Sequence, residues 1–101
     1  MSFKPITTYT EAINSVTFSK PDKYTVWKPV MVKFNGDFIQ TVSDKYIWRK
    51  MGDAKLAIRN HIDLQLAYQL DKSISYNTRK QWVSQIMEEW IKAGILEFVE
   101  I

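Results

Sequence analysis

The sequence of 101 residues contains no cysteine, and it has only three glycines and one histidine. The absence of cysteine excludes disulfides, thiol nucleophiles and cysteine-ligated zinc, and it favours a reducing cytoplasm as the location of the protein. With three glycines, the chain has no glycine-rich loop of the kind that binds nucleotide phosphates. We therefore predict no cofactor and no metal site.

Long hydrophobic runs and a strong charge of one sign are also missing. No apolar run approaches the roughly 20 residues of a membrane span, and the N-terminus lacks the apolar segment of a signal peptide. The chain has 14 basic and 11 acidic residues, and its net charge of +3 is too small to indicate a polyanionic partner. These absences predict a cytoplasmic protein that does not bind membranes.

Apolar residues are present in the proportion expected of a folded protein. They make up 46% of the chain, and 14% of the residues are aromatic. A chain of this length can form one hydrophobic core without a disulfide or a structural metal. We predict a single domain over residues 1–101.

Three strands are predicted in the first half of the chain. Asn35-Gly36 is typical of a tight hairpin, because both residues tolerate the positive φ that a type I′ turn requires. The turn joins a strand at about 24–34, rich in β-branched and aromatic residues, to a second strand at about 38–42. A third strand at about 46–50 follows a short turn, so that the expected arrangement is a three-stranded meander.

Capping signals mark two helices. Thr8 and Glu11 have the spacing of a capping box, and they predict a short helix over 9–15. Thr78 begins a second signal of this kind, and the apolar stripe behind it predicts a helix over 78–93.

A further helix is predicted over about 54–70, with Asp53 as its N-cap. In the part from 62 to 70, apolar residues alternate with period two, as in a strand, and also recur at i, i+4, as in a helix. We choose the helix because the Gln, Ala and Leu residues in this part are good helix formers.

Together these elements predict an α+β fold. A small, mainly antiparallel sheet, formed by the meander and a C-terminal strand at 95–101, is expected to be covered by two helices, with a short N-terminal helix beside them. The side chains expected to supply most of the core are Val30, Val32, Phe34, Ile39, Ile47, Ile58, Ile62, Val83, Ile86, Met87, Trp90, Leu96 and Phe98.

No residue pattern indicates catalysis. His61 is the only histidine, and its place between Ile58 and Ile62 on the apolar side of a helix favours a structural role over an acid–base role. Glu88 and Glu89 are adjacent, so they point about 100° apart on a helix and cannot act as a paired acid and base. We predict that the protein is not an enzyme.

The strongest sign of function is the segment from Asp44 to Arg59, which contains five basic residues and only two acidic ones. Aromatic residues are interleaved with the basic ones, a combination that holds phosphates while stacking bases. A core tryptophan with a charged outer face fits the same pattern, and Lys55 with Arg59 can instead form a solvated ridge on the helix. The candidate contact residues of this segment are Tyr46, Trp48, Arg49, Lys50, Lys55 and Arg59.

Two further features indicate a partner surface. Trp82 lies beside the apolar stripe of the last helix and near Arg79, and it can flank the core, stack on the guanidinium or contact a partner, so both residues join the candidates. The segment 64–70 is apolar around much of its helical circumference, which makes self-association through it a reasonable expectation.

The stretch YIWRKMGDAKLAIRNH, residues 46–61, resembles a pattern in small accessory proteins of tailed bacteriophages, in which an aromatic strand runs into Gly-x-Ala-Lys-x-Ala and a helix that ends in His. The preceding hairpin and the final Glu-Phe-Val-Glu strand fit the same scheme, so the resemblance covers roughly 27–61 and 95–101. It implies a protein made during infection that binds and redirects a host factor, such as a polymerase, a nuclease or a defence component. It assigns no catalytic residue.

The function predicted from these observations is that of a non-enzymatic binding module. The expected partner is a host protein that the module modulates or inhibits in the host cytoplasm. The alternative is a nucleic-acid-binding protein that contacts DNA or RNA through the basic and aromatic residues.

Overall fold

A computed structural model describes residues 4–21, 30–41 and 45–100, and the α+β class is confirmed. Among these residues, no helix is long and apolar enough to cross a membrane. The elements in chain order are α1 (Tyr9–Ser15), β1 (Val30–Phe34), β2 (Asp37–Phe38), β3 (Ile47–Trp48), α2 (Met51–Gln69), α3 (Tyr76–Lys92) and β4 (Leu96–Glu100).

The sheet is antiparallel, with β1 at its centre. β4 pairs with β1 over its whole length, from Phe34 opposite Leu96 to Val30 opposite Glu100. β2 and β3 share the other edge of β1, β2 pairing with its C-terminal end and β3 with its N-terminal end.

This strand order corrects the predicted meander, in which the second strand would lie in the middle. The hairpin itself is confirmed, since Asn35 and Gly36 have φ of 53° and 85°. After β2, however, Gln40 pairs with Ser19 instead of continuing the sheet. Both neighbours of β1 on this edge are therefore only two residues long, and the predicted strand residues 24–29, 42 and 101 lie outside the described residues.

The helices match their predicted positions, with differences at the caps. α1 is confirmed over 9–15, and the Thr8 hydroxyl accepts the Glu11 N–H at 3.2 Å. α2 begins at Met51, before the predicted cap Asp53, which lies in the first turn. α3 is capped by Ser75, which accepts the N–H of Thr78 at 3.1 Å, and so begins earlier than the predicted residue 78.

The ambiguous segment 62–70 is helical up to Gln69, where α2 ends, and Leu70 is an extended C-cap that bridges to Ile6. Ile62 and Leu66 are fully buried, whereas Leu64 and Tyr68 are exposed, as expected when apolar residues occupy both sides of a helix. The structure therefore follows the i, i+4 recurrence of apolar residues in this segment and not their alternation with period two.

One hydrophobic cluster joins the three helices to one face of the sheet. Ten of the predicted core residues are buried in it, and Phe34 and Phe98 pack against it while partly exposed. Ile47 is the exception. Because Trp48 lies opposite Val30 and faces the helices, its neighbour Ile47 lies on the opposite face, paired with Met31.

Candidate functional site

The single histidine is a structural residue that ties α2 to the chain after α1. His61 is 3% exposed, and its ring stacks on Phe18 with centroids 4.4 Å apart. Its Nε2 lies 2.7 Å from the Thr17 carbonyl oxygen and donates to it, because a carbonyl oxygen only accepts. Gln65, one turn further along α2, accepts the Thr17 N–H and donates to the same carbonyl.

Burial lowers the pKa of His61, and the hydrogen bond to Thr17 opposes this effect only in part. Desolvation disfavours the charged imidazolium, so the neutral ring is the native form. Among the described residues, Phe18 stacks on the imidazole and Thr17 accepts its N–H, and almost none of the ring is exposed to solvent. Within the described parts of the chain, moreover, no three His, Asp or Glu side chains are grouped so that they could hold a metal ion.

The prediction that an aromatic and basic strand forms a nucleic-acid platform is wrong at its central residue, Trp48. Trp48 is 3% exposed and belongs to the core, so no base can stack on it. Tyr46 is partly buried, whereas Arg49 and Lys50 are exposed where the chain enters α2. β3 ends at Trp48, too early for aromatic and basic side chains to alternate along one strand face.

Trp82 and Arg79, the two candidates on α3, are both engaged within the chain. Trp82 packs against the core and meets the ring of Tyr9 edge-on, with centroids 6.1 Å apart. Tyr9 also donates to the Glu89 carboxylate at 2.8 Å, and burial together with this carboxylate raises the pKa of Tyr9. The Arg79 guanidinium is paired with Asp63 at 3.0 Å. Their main visible role is to hold α1 and α2 against α3.

The remaining candidates, Lys55 and Arg59, line an open groove between α2 and α3. The two helices are antiparallel, because Arg59 reaches Ser84 while Asp63, further along α2, reaches Arg79. The cavity between them has a volume of about 710 Å³, and we call it the α2–α3 groove. Its lining residues are Lys55, Leu56, Arg59, Ser84, Met87, Glu88, Ile91 and Lys92.

Apolar side chains in the groove are exposed to solvent. Leu56 is 57% exposed and Ile91 is 43% exposed, and buried Met87 lies beneath them. A second cavity of about 610 Å³ shares Lys55 and Ile91 with the groove and extends it towards β4. The apolar surface is therefore continuous from the middle of α2 and α3 to the last strand.

The sequence predicted two of the three cations of this groove, Lys55 and Arg59, but neither Lys92 nor the apolar floor. The apolar stripe of the helix predicted over 78–93 includes Ile91 and favours its burial, and no pattern in the sequence marks Leu56 as a contact residue. The helical spacing does indicate that Leu56 is exposed. It follows the buried Ala54 by two residues and so lies about 200° away from it, on the polar side of the helix. The other exposed apolar residues do not line the groove: Leu64 and Tyr68 lie further along α2, and Tyr76 lies at the start of α3.

The cations of the groove are not neutralised within the described residues. Lys55, Arg59 and Lys92 are exposed, and none of them is within 4.0 Å of a described carboxylate. The neighbouring Arg79 and Lys80, by contrast, both pair with Asp63. The groove therefore combines an exposed aliphatic floor with a positively charged rim.

Comparisons of the chain with protein-family models, with curated proteins and with solved structures found no match.

Proposed function

We propose that the protein is a non-enzymatic binding module that takes an apolar segment of a partner protein into the α2–α3 groove. The observation that carries this proposal is the exposure of Leu56 and Ile91 side by side in one cavity. Single exposed apolar residues are ordinary on protein surfaces, but a grooved apolar patch with a polar rim is typical of an interaction site. The resemblance to phage accessory proteins supports a host protein as the partner.

The chemistry of the described side chains supports binding over turnover. The one histidine is buried, and the carboxylate of Asp63 is held between Arg79 and Lys80. In the groove itself the only carboxylate among the described lining residues is Glu88, with no imidazole near it. General acid–base catalysis needs a base within hydrogen-bonding reach of its substrate, usually with a second group to orient it.

The test is affinity capture from a bacterial lysate, with and without nuclease, using matched variants. Leu56→Asp places a charge on the apolar floor, and Leu64→Asp places the same charge on another exposed leucine of the same helix. We expect a stoichiometric protein that is captured by the wild type and by Leu64→Asp but is lost with Leu56→Asp. Equal capture by all three proteins, or capture that nuclease abolishes, would contradict the proposal.

Nucleic-acid binding is the second candidate function, and the exposure of Lys45, Arg49 and Lys50 before α2 favours it. Contact with about four phosphates would make log affinity fall with log salt with a slope of about −3 to −4. Arg49→Glu combined with Lys50→Glu would abolish such binding and leave the fold intact. A gel-shift titration at low salt distinguishes this function from protein binding.

A further inference from the structure

We infer that the segment recognised by the α2–α3 groove is an acidic amphipathic helix of the partner protein. The inference rests on the proposed function and adds the chemistry of the partner to it. Three properties of the groove support it: the charge of its rim, the aliphatic character of its floor and the helical form of its walls.

The rim is positively charged. Lys55, Arg59 and Lys92 face a single carboxylate, Glu88, among the described lining residues. Arg59 uses one N–H to donate to the Ser84 hydroxyl at 3.3 Å, which holds its guanidinium across the groove towards α3. A guanidinium has five N–H donors in a planar fork that matches a carboxylate, so Arg59 retains donors for one from the partner. Complementary charge on the partner is therefore negative.

The floor is aliphatic, and this favours a protein segment over a nucleic acid. None of the described residues that line the α2–α3 groove itself is aromatic, and Phe98 in the adjoining cavity lies beneath Lys55, whose Nζ is 5.9 Å from the ring centroid. Binding of single-stranded nucleic acid depends on aromatic rings that stack on the bases, and Trp48, the ring expected to do this, is buried. Leu56, Met87 and Ile91 offer contacts to aliphatic side chains instead.

The walls favour a helix over an extended strand. A strand gains affinity by pairing with unsatisfied main-chain groups at a sheet edge, whereas the backbone groups of α2 and α3 in the groove are inside helices and already bonded. Lys55 and Arg59 on one wall, and Met87 and Ile91 on the other, each recur at i, i+4. A helix lying along the groove presents its own anchors at i, i+3, i+4 and i+7, at the same spacing of about one turn.

The test uses two synthetic peptides of about 16 residues, long enough for roughly four helical turns. Both carry Leu at i, i+3, i+4 and i+7, and one carries Glu where the other carries Lys on the polar face. Binding is measured by fluorescence anisotropy. We expect the acidic peptide to bind at least about tenfold more tightly than the basic one. Its affinity should fall as the salt concentration rises from about 0.05 to about 0.5 M, because salt at the higher concentration screens charges within a few ångströms.

Matched protein variants locate the binding. Lys55→Glu combined with Arg59→Glu should lower the affinity for the acidic peptide by at least about tenfold, which corresponds to about 1.4 kcal/mol of binding free energy. Lys72→Glu, an exposed lysine in the connection between α2 and α3, should change the affinity by less than about twofold, since it lies outside the groove. Circular dichroism of each variant checks that the helices are retained.

Several outcomes would overturn the inference. The two peptides could bind equally well, neither could bind, or the acidic peptide could bind undiminished to the Lys55→Glu, Arg59→Glu variant. Binding of a single-stranded oligonucleotide that this variant loses would assign the cations to nucleic acid instead. A dimer that Leu56→Asp dissociates would assign the groove to a second copy of the chain. If the lysate partner depends on Leu56 while the acidic peptide fails, the proposed function stands and only the partner's chemistry is wrong.

Discussion

The two sides of the α2–α3 pair both contain apolar side chains, but only one side is closed. On the closed side, the rings of Phe18, Phe34, His61 and Trp90 form an aromatic cluster, with centroids from 4.4 to 6.2 Å apart. On the open side, Leu56 and Ile91 line the α2–α3 groove. The same two helices provide both surfaces.

The difference comes from the rest of the chain. Phe18 follows α1 and Phe34 ends β1, so two distant segments supply rings that fill the space beside His61 and Trp90. The groove receives no side chain from α1 or from the first three strands, as far as the described residues go. Aromatic rings from other elements thus complete one apolar surface, while the other surface keeps exposed aliphatic and basic side chains. Among the described residues, this second surface therefore stays exposed to solvent.

The largest effect should follow from opening the closed side. Trp90→Ala removes a ring that contacts both Phe18 and Phe34, and we expect it to lower the free energy of unfolding by about 3–5 kcal/mol. Ile91→Ala, the adjacent substitution on the groove side, should cost less than about 1 kcal/mol because this side chain is 43% exposed. Denaturant unfolding measures both values. Equal losses would remove the distinction between the two sides.

The aromatic cluster should also make stability dependent on pH. Burial lowers the pKa of native His61 below its ordinary value of 6.5, so on acidification the unfolded chain takes up a proton before the native protein does. The free energy of unfolding should therefore decrease as the pH falls below about 6.5. Glu11 and Asp71, whose pKa values are lowered by hydrogen bonds, act in the same direction only at more acidic pH.

His61→Phe provides the control for this effect. The substituted ring can still stack on Phe18, and the Thr17 carbonyl keeps the N–H of Gln65, which donates to it at 3.0 Å. The variant has no titrating group at this position. Denaturation midpoints measured between about pH 7 and pH 5 should fall for the wild type and stay flatter for the variant. A wild-type curve as flat as that of the variant would contradict the burial of His61.

A smaller effect is expected where the helices meet at the end of the groove. Asp63→Asn removes the charge that pairs with Arg79 and Lys80, whose distances to it are 3.0 and 3.4 Å. Because these side chains are partly exposed, we expect a loss of about 1 kcal/mol or less. Lys20→Ala breaks the more exposed pair with Asp37 and should cost still less. Thermal unfolding at low salt compares the stability losses of the two variants. A larger loss for Lys20→Ala than for Asp63→Asn would contradict this prediction.

Local signals in the sequence were enough to predict the elements and most of the core. The capping box at Thr8 and the Asn35-Gly36 turn act within a few residues, and both are found as expected. The strand order was not predictable in this way. It depends on Gln40 pairing with Ser19, which are far apart in the sequence, and this pairing takes the chain away from the sheet after β2.

The candidate site was predictable only in its charges. Lys55 and Arg59 are candidates because they belong to the basic and aromatic segment, and their i, i+4 spacing on a helix places them on one face whatever the tertiary structure. Trp48 was misassigned because β3 is short, and the face that its side chain takes is fixed by its pairing with Val30. The exposure of Ile91 depends on which segments cover α3, and periodicity along one helix carries no information about that.

The smallest effect on stability should follow from a change on the floor of the groove. Leu56→Ala and Leu56→Asp should each alter the free energy of unfolding by no more than about 0.5 kcal/mol, because more than half of this side chain is already in water. Ile58→Ala, two residues along the same helix, should cost about 2–5 kcal/mol because Ile58 is fully buried. Denaturant unfolding of these variants, repeated at two protein concentrations, measures the contrast. A loss of more than about 1 kcal/mol for Leu56→Ala at both concentrations would mean that Leu56 is packed within the chain itself. A loss seen only at the higher protein concentration would mean that a second copy of the chain covers the groove. A neutral result at both concentrations would show that Leu56 is exposed to solvent in the isolated protein.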